Sequence, residues 1–307
     1  MAWGEQHMLT QDLDRYLELR RALGHKLEAA EILLRSFVRQ AQAEGESHIA
    51  AASALAWAAH TRTGHQGSRR LTVLIGLARF LHAEDPRHEI PRRSLACPIP
   101  PRPRPYIFSA EQIRNLIQAA GQLRPGRSLR PLTFSTLFGL LAVTGLRISE
   151  ALELRVGDFT PDGLVIRQTK FRKNRLVPLH ESTAAALTRY LDRRLGLRTV
   201  TDHVFVSIRR TPICYMTAHR TFRLLCATIG LPSVPQARLH DLRHTVAVRA
   251  LEACPKDRDQ ITPHVLALST YLGHASLRGT YWYLQATPEL LRDVAGVAEG
   301  WMNGELR

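Results

Sequence analysis

Apolar residues recur every three to four positions through the first part of the chain, which is the period of an amphipathic helix. This spacing predicts four helices, over 12–23, 27–43, 49–60 and 71–81. Gly24 and Gly45 stand just beyond the first two, and glycine is typical of helix ends. We therefore expect a compact helical bundle at the start of the chain.

A stretch rich in proline and arginine follows, with the sequence IPRRSLACPIPPRPRP over 90–105. Proline removes backbone donors and holds the preceding residue extended, so this stretch can form neither a helix nor a central strand. We expect an extended basic linker over 91–105. It divides a helical domain over 1–90 from a second domain over 106–287 and a last segment over 288–307.

The pattern after the linker mixes helical and strand periods. Helices are predicted over 109–122, 132–143, 148–154, 182–195, 215–229, 239–252, 262–272, 277–284 and about 288–301. Residues 164–167 and 176–178 are predicted strands joined by the basic segment QTKFRKNR into a hairpin, and 204–207 is a candidate third strand. Ser109 is expected to cap the first of these helices. The predicted fold class is therefore mainly α with a small β-sheet, of the α+β type.

The net charge of the chain indicates which kinds of partner it could bind. The 307 residues include 42 Lys and Arg against 27 Asp and Glu, a formal net charge of +15. Polyanions are the first partners to consider, because phosphates neutralised by cationic side chains release their condensed counterions. A merely cationic surface would give the same total, so charge alone does not establish nucleic-acid binding.

Cysteine usage and hydropathy indicate where the protein works. The four cysteines form no C-x-x-C pair, which argues against a zinc ribbon and a disulfide framework and suits a reducing cytosol. The most apolar windows, 49–59 and 132–143, are shorter than the ~18 residues that cross a bilayer. No secretory h-region is evident near the start. We expect a cytoplasmic, nucleoid-associated protein without membrane contact.

Four short motifs carry candidate chemistry, and each has an ordinary structural interpretation when taken alone. TGLRISE places Arg147 where it could simply pair with Glu150 on the surface. HDLRHT places His240 and Arg243 three residues apart on one helix face. LGHA places His274 where histidines commonly cap a helix, and TYWYL is an aromatic cluster typical of a core.

Taken in order, the motifs resemble those of the tyrosine recombinase (phage integrase) family, whose pattern is Arg, Lys, His-x-x-Arg, His or Trp, and Tyr. In the last motif, LGHASLRGTYWY, the expected tyrosine lies nine residues beyond His274, at Tyr283. TKFRKNRLVPL resembles the family's β-hairpin with its catalytic lysine. The resemblance covers Tyr106 to about Leu291, and the helical region before it is similar to the family's core-binding domain, which binds DNA.

The resemblance implies a set of site residues. The catalytic residues would be Arg147, Lys170, His240, Arg243, His274 and Tyr283, with Glu150 orienting the pocket. Guanidinium groups are planar, permanently charged and bidentate toward phosphate, so two of them can replace metal cations. Tyr283 would attack phosphorus and form a 3′-phosphotyrosyl link that conserves the bond energy. No metal, no cofactor and no ATP is implied.

The remaining roles implied by the resemblance concern protons. His240 would serve as acid and base, Lys170 would protonate the departing 5′-oxygen, and His274 would donate a hydrogen bond to the phosphate. A phenol with a pKa near 10 needs such a base or a strongly cationic pocket.

Two assignments stay open at this point. Lys173 competes with Lys170, and Arg172 and Arg175 are close by; Lys170 stands at the family's position after the first hairpin strand. Tyr281 lies two residues before Tyr283, and the spacing from His274 favours Tyr283 as the nucleophile, with Tyr281 in the core or against DNA.

Contacts with DNA are expected from basic residues in both domains and the linker. The candidates are Arg69, Arg70, Arg102, Arg104, Arg172, Lys173, Arg220 and Arg223. The linker is either a spacer or a strap along DNA phosphates. The resemblance implies double-stranded DNA with inverted half-sites as substrate, a homotetramer in the synaptic complex, and accessory proteins as further partners. The amphipathic tail over 288–307 either docks on a neighbouring protomer or closes its own core.

Three function classes fit the pattern to different degrees. The leading hypothesis is a site-specific DNA recombinase that forms and resolves a Holliday junction, in integration, excision or transposon-type recombination. A type IB topoisomerase shares the Arg–Lys–His–Tyr chemistry and would relax DNA without a cognate site. A DNA-binding regulator that kept the fold would need no nucleophile. The complete set of motifs favours the recombinase.

Overall fold

A computed structural model describes residues 8–25, 27–61, 63–92, 105–167, 174–197, 201–233, 236–254, 258–274, 280 and 283. The chain divides into two compact units, Met1–Pro103 and Arg104–Arg307. The predicted domain boundaries around the linker stay predictions, because residues 93–104 lie outside the described residues.

The first unit contains four described helices, as the sequence pattern predicts. These are α1 (Met8–Ala22), α2 (Glu28–Ala43), α3 (Ala51–Ala59) and α4 (Gly64–His82). Their apolar faces meet in a core that includes Leu13, Leu34, Trp57 and Leu74, all of them buried. Helix α4 begins seven residues earlier than predicted, because Thr63 caps it by accepting a hydrogen bond from the backbone N–H of Gln66.

The second unit is built mainly from helices. They are α5 (Ala110–Gly121), α6 (Arg130–Thr144), α7 (Ile148–Leu152), α8 (Glu181–Leu195), α9 (Tyr215–Thr228), α10 (Leu239–Glu252) and α11 (Arg258–Leu272). Ser109 caps α5 in a reciprocal arrangement with Gln112, as predicted. Residues 277–284 and 288–301, predicted as helices, lie largely or wholly outside the described residues.

A small antiparallel sheet lies on one side of these helices. It has the order β1 (Phe159–Thr160), β2 (Gly163–Ile166) and β3 (Arg175–Val177), with Leu164 opposite Val177 and Ile166 opposite Arg175. The predicted hairpin is therefore confirmed, while the two-residue β1 escaped prediction. The predicted strand over 204–207 is wrong: Val206 makes an isolated bridge to Pro212, whose ring nitrogen has no N–H to extend a ladder.

The core of the second unit surrounds the buried helix α6. Phe138 and Leu141 on α6 pack with Phe222 of α9 and Leu242 of α10. The C-terminal end of α6 lies beside the middle of α10, where Arg243 and Val246 approach Gly145. The arrangement confirms the mainly α fold class with a small β-sheet. Among the described residues, the helices are too short or too polar to cross a membrane.

Candidate active site

Two helix ends form the floor of the site. Helix α6 ends at Gly145, whose φ of +62° is a left-handed conformation that glycine adopts without strain. Helix α11 is followed by Gly273, with a φ of +65°. The carbonyl groups at these ends no longer have helical partners and can accept hydrogen bonds from side chains.

Arg243 on α10 uses two of these carbonyl groups. Its Nη1 donates to the carbonyl oxygen of Gly145 at 2.8 Å, and its Nη2 donates to that of Leu272 at 2.5 Å. The residue is only 2% exposed. Burial, followed by the repulsion of Arg147, lowers the pKa of Arg243 to about 10, so the guanidinium stays charged at neutral pH.

Arg147 follows Gly145, the cap of α6, and bonds to the carbonyl group of Gly273, which comes directly after that of Leu272 in the chain. Its Nη2 donates to the carbonyl oxygen of Gly273 at 2.9 Å, and its Nη1 donates to Oε1 of Glu150 at 2.7 Å. Glu150 also accepts the backbone N–H of Arg147 at 2.9 Å, which fixes the start of α7. Arg147 and Arg243 are therefore held by the successive carbonyl groups of Gly273 and Leu272.

A third guanidinium group completes this network. Arg175, the first residue of β3, donates through Nη1 and Nη2 to the two carboxylate oxygens of Glu150, at 3.1 and 2.8 Å. Its Nε donates to the carbonyl oxygen of Tyr271 at 3.0 Å. Burial alone would raise the pKa of Glu150, but hydrogen bonds from Arg175 and Arg147 and their charges outweigh it and lower the pKa to about 2.

Two histidines one helical turn apart line the site from α10. Asp241 accepts the backbone N–H of Arg238 at 2.7 Å and so fixes the start of this helix. The His240 and His244 rings lie 4.6 Å apart, edge to face. His240 is exposed to solvent, yet desolvation by surrounding protein, followed by the charge of Arg243, lowers its pKa to about 4. Burial and then His240 lower the pKa of His244 to about 3.

Tyr283 lies between two imidazole rings. Its ring is stacked on that of His274 with centroids 6.0 Å apart, and it meets His244 edge to face at 5.2 Å. Nδ1 of His274 is 2.8 Å from Oγ1 of Thr280, and Tyr283 itself is 2% exposed. Burial, followed by the charges of Arg243 and Arg147, lowers the pKa of His274 to about 4.

The structure thus brings most of the predicted site residues into one cationic cluster. They are Arg147, Glu150, His240, Arg243, His274 and Tyr283. Their individual roles stay predictions. Lys170 and its competitor Lys173 lie outside the described residues, as do Tyr281 and the predicted DNA contacts Arg102, Arg104 and Arg172.

The other predicted DNA contacts differ in how accessible their charge is. Arg69 and Arg220 are exposed, and Arg223 is half-buried. Arg70 is already engaged: its Nη1 donates to the carbonyl oxygens of Trp57 and His60, at 2.8 and 2.9 Å, and its guanidinium lies 4.9 Å from the Trp57 ring centre. Arg70 therefore stabilises the C-terminal end of α3, and its DNA contact stays a prediction.

Sequence reasoning did not assign roles to Arg175 and His244. Arg175 was considered only as a neighbour of the candidate lysines. Its signal was the strand alternation, because Arg175 and Val177 share the face that points inward while Leu176 is 49% exposed. His244 follows His240 at the four-residue spacing that puts two side chains on one helix face.

Among the described residues, one group of side chains has metal-ligand spacing, and it lies in the first unit. His48, Asp85 and His88 offer ligand atoms within 4.8 Å of one another. Protein groups already engage all three. Nδ1 of His48 lies 2.8 Å from Oγ of Ser47, Arg87 donates to both carboxylate oxygens of Asp85, and the backbone N–H of Ile49 donates to Nδ1 of His88 at 3.2 Å.

Comparison with known proteins matches both the sequence and the fold. Residues 107–289 match the family model described as "Phage integrase family". The chain is 40% identical over 302 residues to "Putative integrase/recombinase y4rB" of Sinorhizobium fredii, covering 92% of this chain and 94% of that protein.

Two solved structures show the same fold at low sequence identity. The Tn1549 transposon integrase in complex with transposon right end DNA matches with a TM-score of 0.69 and 16% identity, over 93% of this chain and 98% of that one. A lambda integrase tetramer bound to a Holliday junction matches with a TM-score of 0.62 and 18% identity, over 90% of this chain and 76% of that one.

Proposed function

Because the chain belongs to the phage integrase family, we propose that it is a site-specific DNA recombinase whose nucleophile is Tyr283. The Oη–P bond forms as the P–O5′ bond breaks, giving a 3′-phosphotyrosyl link and a free 5′-hydroxyl. The reverse attack by a 5′-hydroxyl releases Tyr283 and reseals the strand. The link retains the bond energy, so resealing needs no nucleotide cofactor.

One juxtaposition supports this chemistry above all: Arg147 and Arg243 are bonded to the successive carbonyl groups of Gly273 and Leu272. The next residue, His274, is stacked on the ring of Tyr283. Two guanidinium groups would therefore bind the scissile phosphate and neutralise the charge that develops as phosphorus is attacked. Such preorganised charge is usually the largest catalytic contribution.

The histidines divide the proton chemistry. His240 is neutral at pH 7, since its pKa is lowered to about 4, and can accept the phenolic proton of Tyr283. When Oγ1–H of Thr280 donates to Nδ1 of His274, Nε2 carries the ring proton and can donate to a phosphate oxygen. Tyr283 is 2% exposed, so the proposal requires its Oη to become accessible to the scissile phosphate.

Lys170 is the proposed acid for the departing O5′. It lies in the segment between β2 and β3. In a substrate whose bridging 5′-oxygen is replaced by sulfur, the leaving group is a 5′-thiolate. It departs without protonation, because a thiolate is a far weaker base than an alkoxide. Lys170→Ala should therefore cleave this substrate at close to the wild-type rate. If the 5′-sulfur substrate restores cleavage by Lys173→Ala and not by Lys170→Ala, Lys173 is the general acid.

The proposed assembly is a homotetramer on two DNA sites with inverted half-sites, which exchanges strands through a Holliday junction. The match to the fold of the lambda integrase tetramer supports this assembly. Residues 288–307 would link neighbouring protomers. The proposed location is the cytoplasm, at the nucleoid, and the proposed setting is a mobile element. Accessory proteins are further proposed partners.

A nicked suicide substrate tests the proposed nucleophile. Cleavage beside the nick releases a short 5′-hydroxyl fragment by diffusion and traps the covalent complex, which denaturing electrophoresis separates. We expect the complex with the wild-type chain and with the matched control Tyr281→Phe, and none with Tyr283→Phe. A covalent complex that persists in Tyr283→Phe would overturn the assignment. Relaxation of a plasmid without a cognate site would favour a topoisomerase instead.

A further inference from the structure

We propose that Arg175 is a positioning residue that fixes Arg147 through Glu150 and through the peptide of Gly273. This inference rests on the proposed function, since it concerns how the phosphate-binding guanidinium is held. Arg175 belongs to the β-hairpin and lies 28 residues beyond Arg147 in the chain. A residue of the hairpin would thus set the position of the Arg147 guanidinium, which lies outside the hairpin.

The contacts of Arg175 leave it unsuited to bind a phosphate. Its Nη1 and Nη2 donate to the two oxygens of Glu150, and its Nε donates to the carbonyl oxygen of Tyr271. All three of its nitrogens are thus engaged by protein acceptors, and the side chain is 11% exposed. Arg175 therefore acts on other protein groups, which is what separates a positioning residue from a catalytic one.

Glu150 links Arg175 to Arg147. Its Oε1 accepts from both guanidinium groups, at 2.7 Å from Arg147 and 3.1 Å from Arg175, and its Oε2 accepts from Arg175 and from the backbone of Arg147. A carboxylate held at both oxygens cannot rotate without breaking bonds. With Arg175 removed, a buried carboxylate would lose two of its four hydrogen bonds and would be free to turn toward Arg147.

Gly273 is the second link. A Cβ atom at this position would lie 2.7 Å from Nη1 of Arg175 and 3.0 Å from its Cζ. The guanidinium therefore packs directly against the peptide whose carbonyl oxygen accepts from Nη2 of Arg147. Arg175 contacts both the carboxylate and the peptide that hold Arg147, so displacing it disturbs both supports together.

A double-mutant cycle tests this inference on the full chain. We would measure single-turnover cleavage of the suicide substrate by Arg175→Gln, Arg147→Ala and the double variant. We expect Arg175→Gln to slow cleavage about 10–100-fold, as is typical when a supporting partner of a functional group is lost. In the Arg147→Ala background the same substitution should have little further effect, because it acts through Arg147. Additive losses would overturn the inference.

Three further measurements separate positioning from general damage. DNA affinity should change less than the cleavage rate, since all three nitrogens of Arg175 donate to protein acceptors. Arg175→Lys should not restore the rate, because an ammonium cannot reproduce the forked contact with Glu150; full rescue by Lys would overturn the inference. Arg155→Gln, which removes an arginine paired with Asp202 outside the site, is the matched control and should cleave normally.

If Arg175→Gln does not fold, Glu150→Gln breaks the same link from the other side. It should also be non-additive with Arg147→Ala, and additive losses there would equally contradict the inference. A wild-type chain that forms no covalent complex would overturn the proposed function and this inference together. A wild-type chain that forms the complex, beside an Arg175→Gln variant of unchanged rate, would overturn this inference alone.

Discussion

The two guanidinium groups that are proposed to bind the phosphate, those of Arg243 and Arg147, are supported in different ways. Arg243 is 2% exposed and is held by backbone carbonyl oxygens at two helix ends, where the peptide dipoles place partial negative charge. The side chain of Arg147 is 29% exposed and is held by one carbonyl group and by the carboxylate of Glu150. One cation relies on the backbone, and the other relies on an ion network.

This difference determines how much positive charge each group offers to a phosphate. The charge of Arg147 is partly neutralised by Glu150, which Arg175 shares. Arg243 has dipoles around it and no carboxylate in direct contact among the described residues, so more of its charge remains to attract an anion. Burial also makes any bond that Arg243 forms with a phosphate stronger than it would be in water.

The largest expected effect is at Arg243. Lysine keeps the charge but cannot donate to both helix-end carbonyl groups and a phosphate in one plane, so Arg243→Lys should lose about 10³-fold in single-turnover cleavage. Leaving a buried carbonyl group unsatisfied should also cost about 1–3 kcal/mol of folding free energy, measured by denaturant unfolding. Cleavage within tenfold of the wild type would show that backbone support is dispensable.

Arg147→Lys should cost less, about 10²-fold in the same cleavage assay. The position is partly exposed, and Glu150 can pair with a lysine, so the free energy of unfolding should change by less than for Arg243→Lys. DNA affinity at fixed salt serves as the control and should fall only slightly for both variants. A larger loss at Arg147 than at Arg243 would reverse the proposed ranking of the two cations.

Gly273→Ala should have a smaller effect and slow cleavage about tenfold. The new Cβ would lie only 2.7 Å from Nη1 of Arg175 and would force this group to move. Gly145→Ala is the matched comparison. It shares the left-handed backbone, which costs about 1–2 kcal/mol in either variant, but the atoms nearest to its Cβ would be apolar atoms of Leu272 and Val246, at 3.2 to 3.3 Å. Equal rate losses at equal stability would show that the Arg175 contact is irrelevant.

The smallest expected effect is a difference in acid sensitivity. The unfolded chain protonates His244 near pH 6.5, while the folded protein keeps it neutral down to about pH 3, so stability should fall as pH decreases through this window. Glu150, with its pKa lowered from 4.5 to about 2, should lose its contribution only as pH falls below about 4.5. The two sides of the site therefore respond to acid in different ranges.

Thermal unfolding as a function of pH measures this difference. His244→Phe should make the dependence of Tm on pH less steep between pH 6.5 and 4.5, with each kcal/mol corresponding to about 2–4 °C. A smaller slope should remain, because the pKa values of His240 and His274 are also lowered, to about 4. Glu150→Gln should leave that upper range unchanged and flatten the range below pH 4.5. A His244→Phe profile parallel to that of the wild type would contradict a neutral buried His244.

Much of the fold could be predicted from local patterns. Long amphipathic helices such as α2 and capped ones such as α5 were predicted close to their observed bounds, because spacing and capping are local properties. The start of α4 was missed even though Thr63 and Gln66 form a capping pattern, since the apolar period begins only at Leu71. Strand β1 was missed because two residues carry no detectable alternation.

In the site, too, the residues that stand in local motifs could be predicted, and the contacts between residues far apart in the chain could not. The order of short motifs brought Arg147, Arg243 and His274 to attention, because each stands in a recognisable local sequence. The contact of Arg175 with Glu150 joins residues 25 positions apart, and its contact with Tyr271 joins residues 96 positions apart. Such pairings depend on how the sheet packs against α7 and α11, which spacing within one segment does not reveal.

The adjacency of the two acceptor carbonyl groups at Leu272 and Gly273 has a consequence for how this enzyme can be regulated. A shift of the chain directly after α11 would break one hydrogen bond of each arginine at once, and the following residue, His274, would move with it. Any regulator that shifts these three residues would therefore weaken the support of both arginines together.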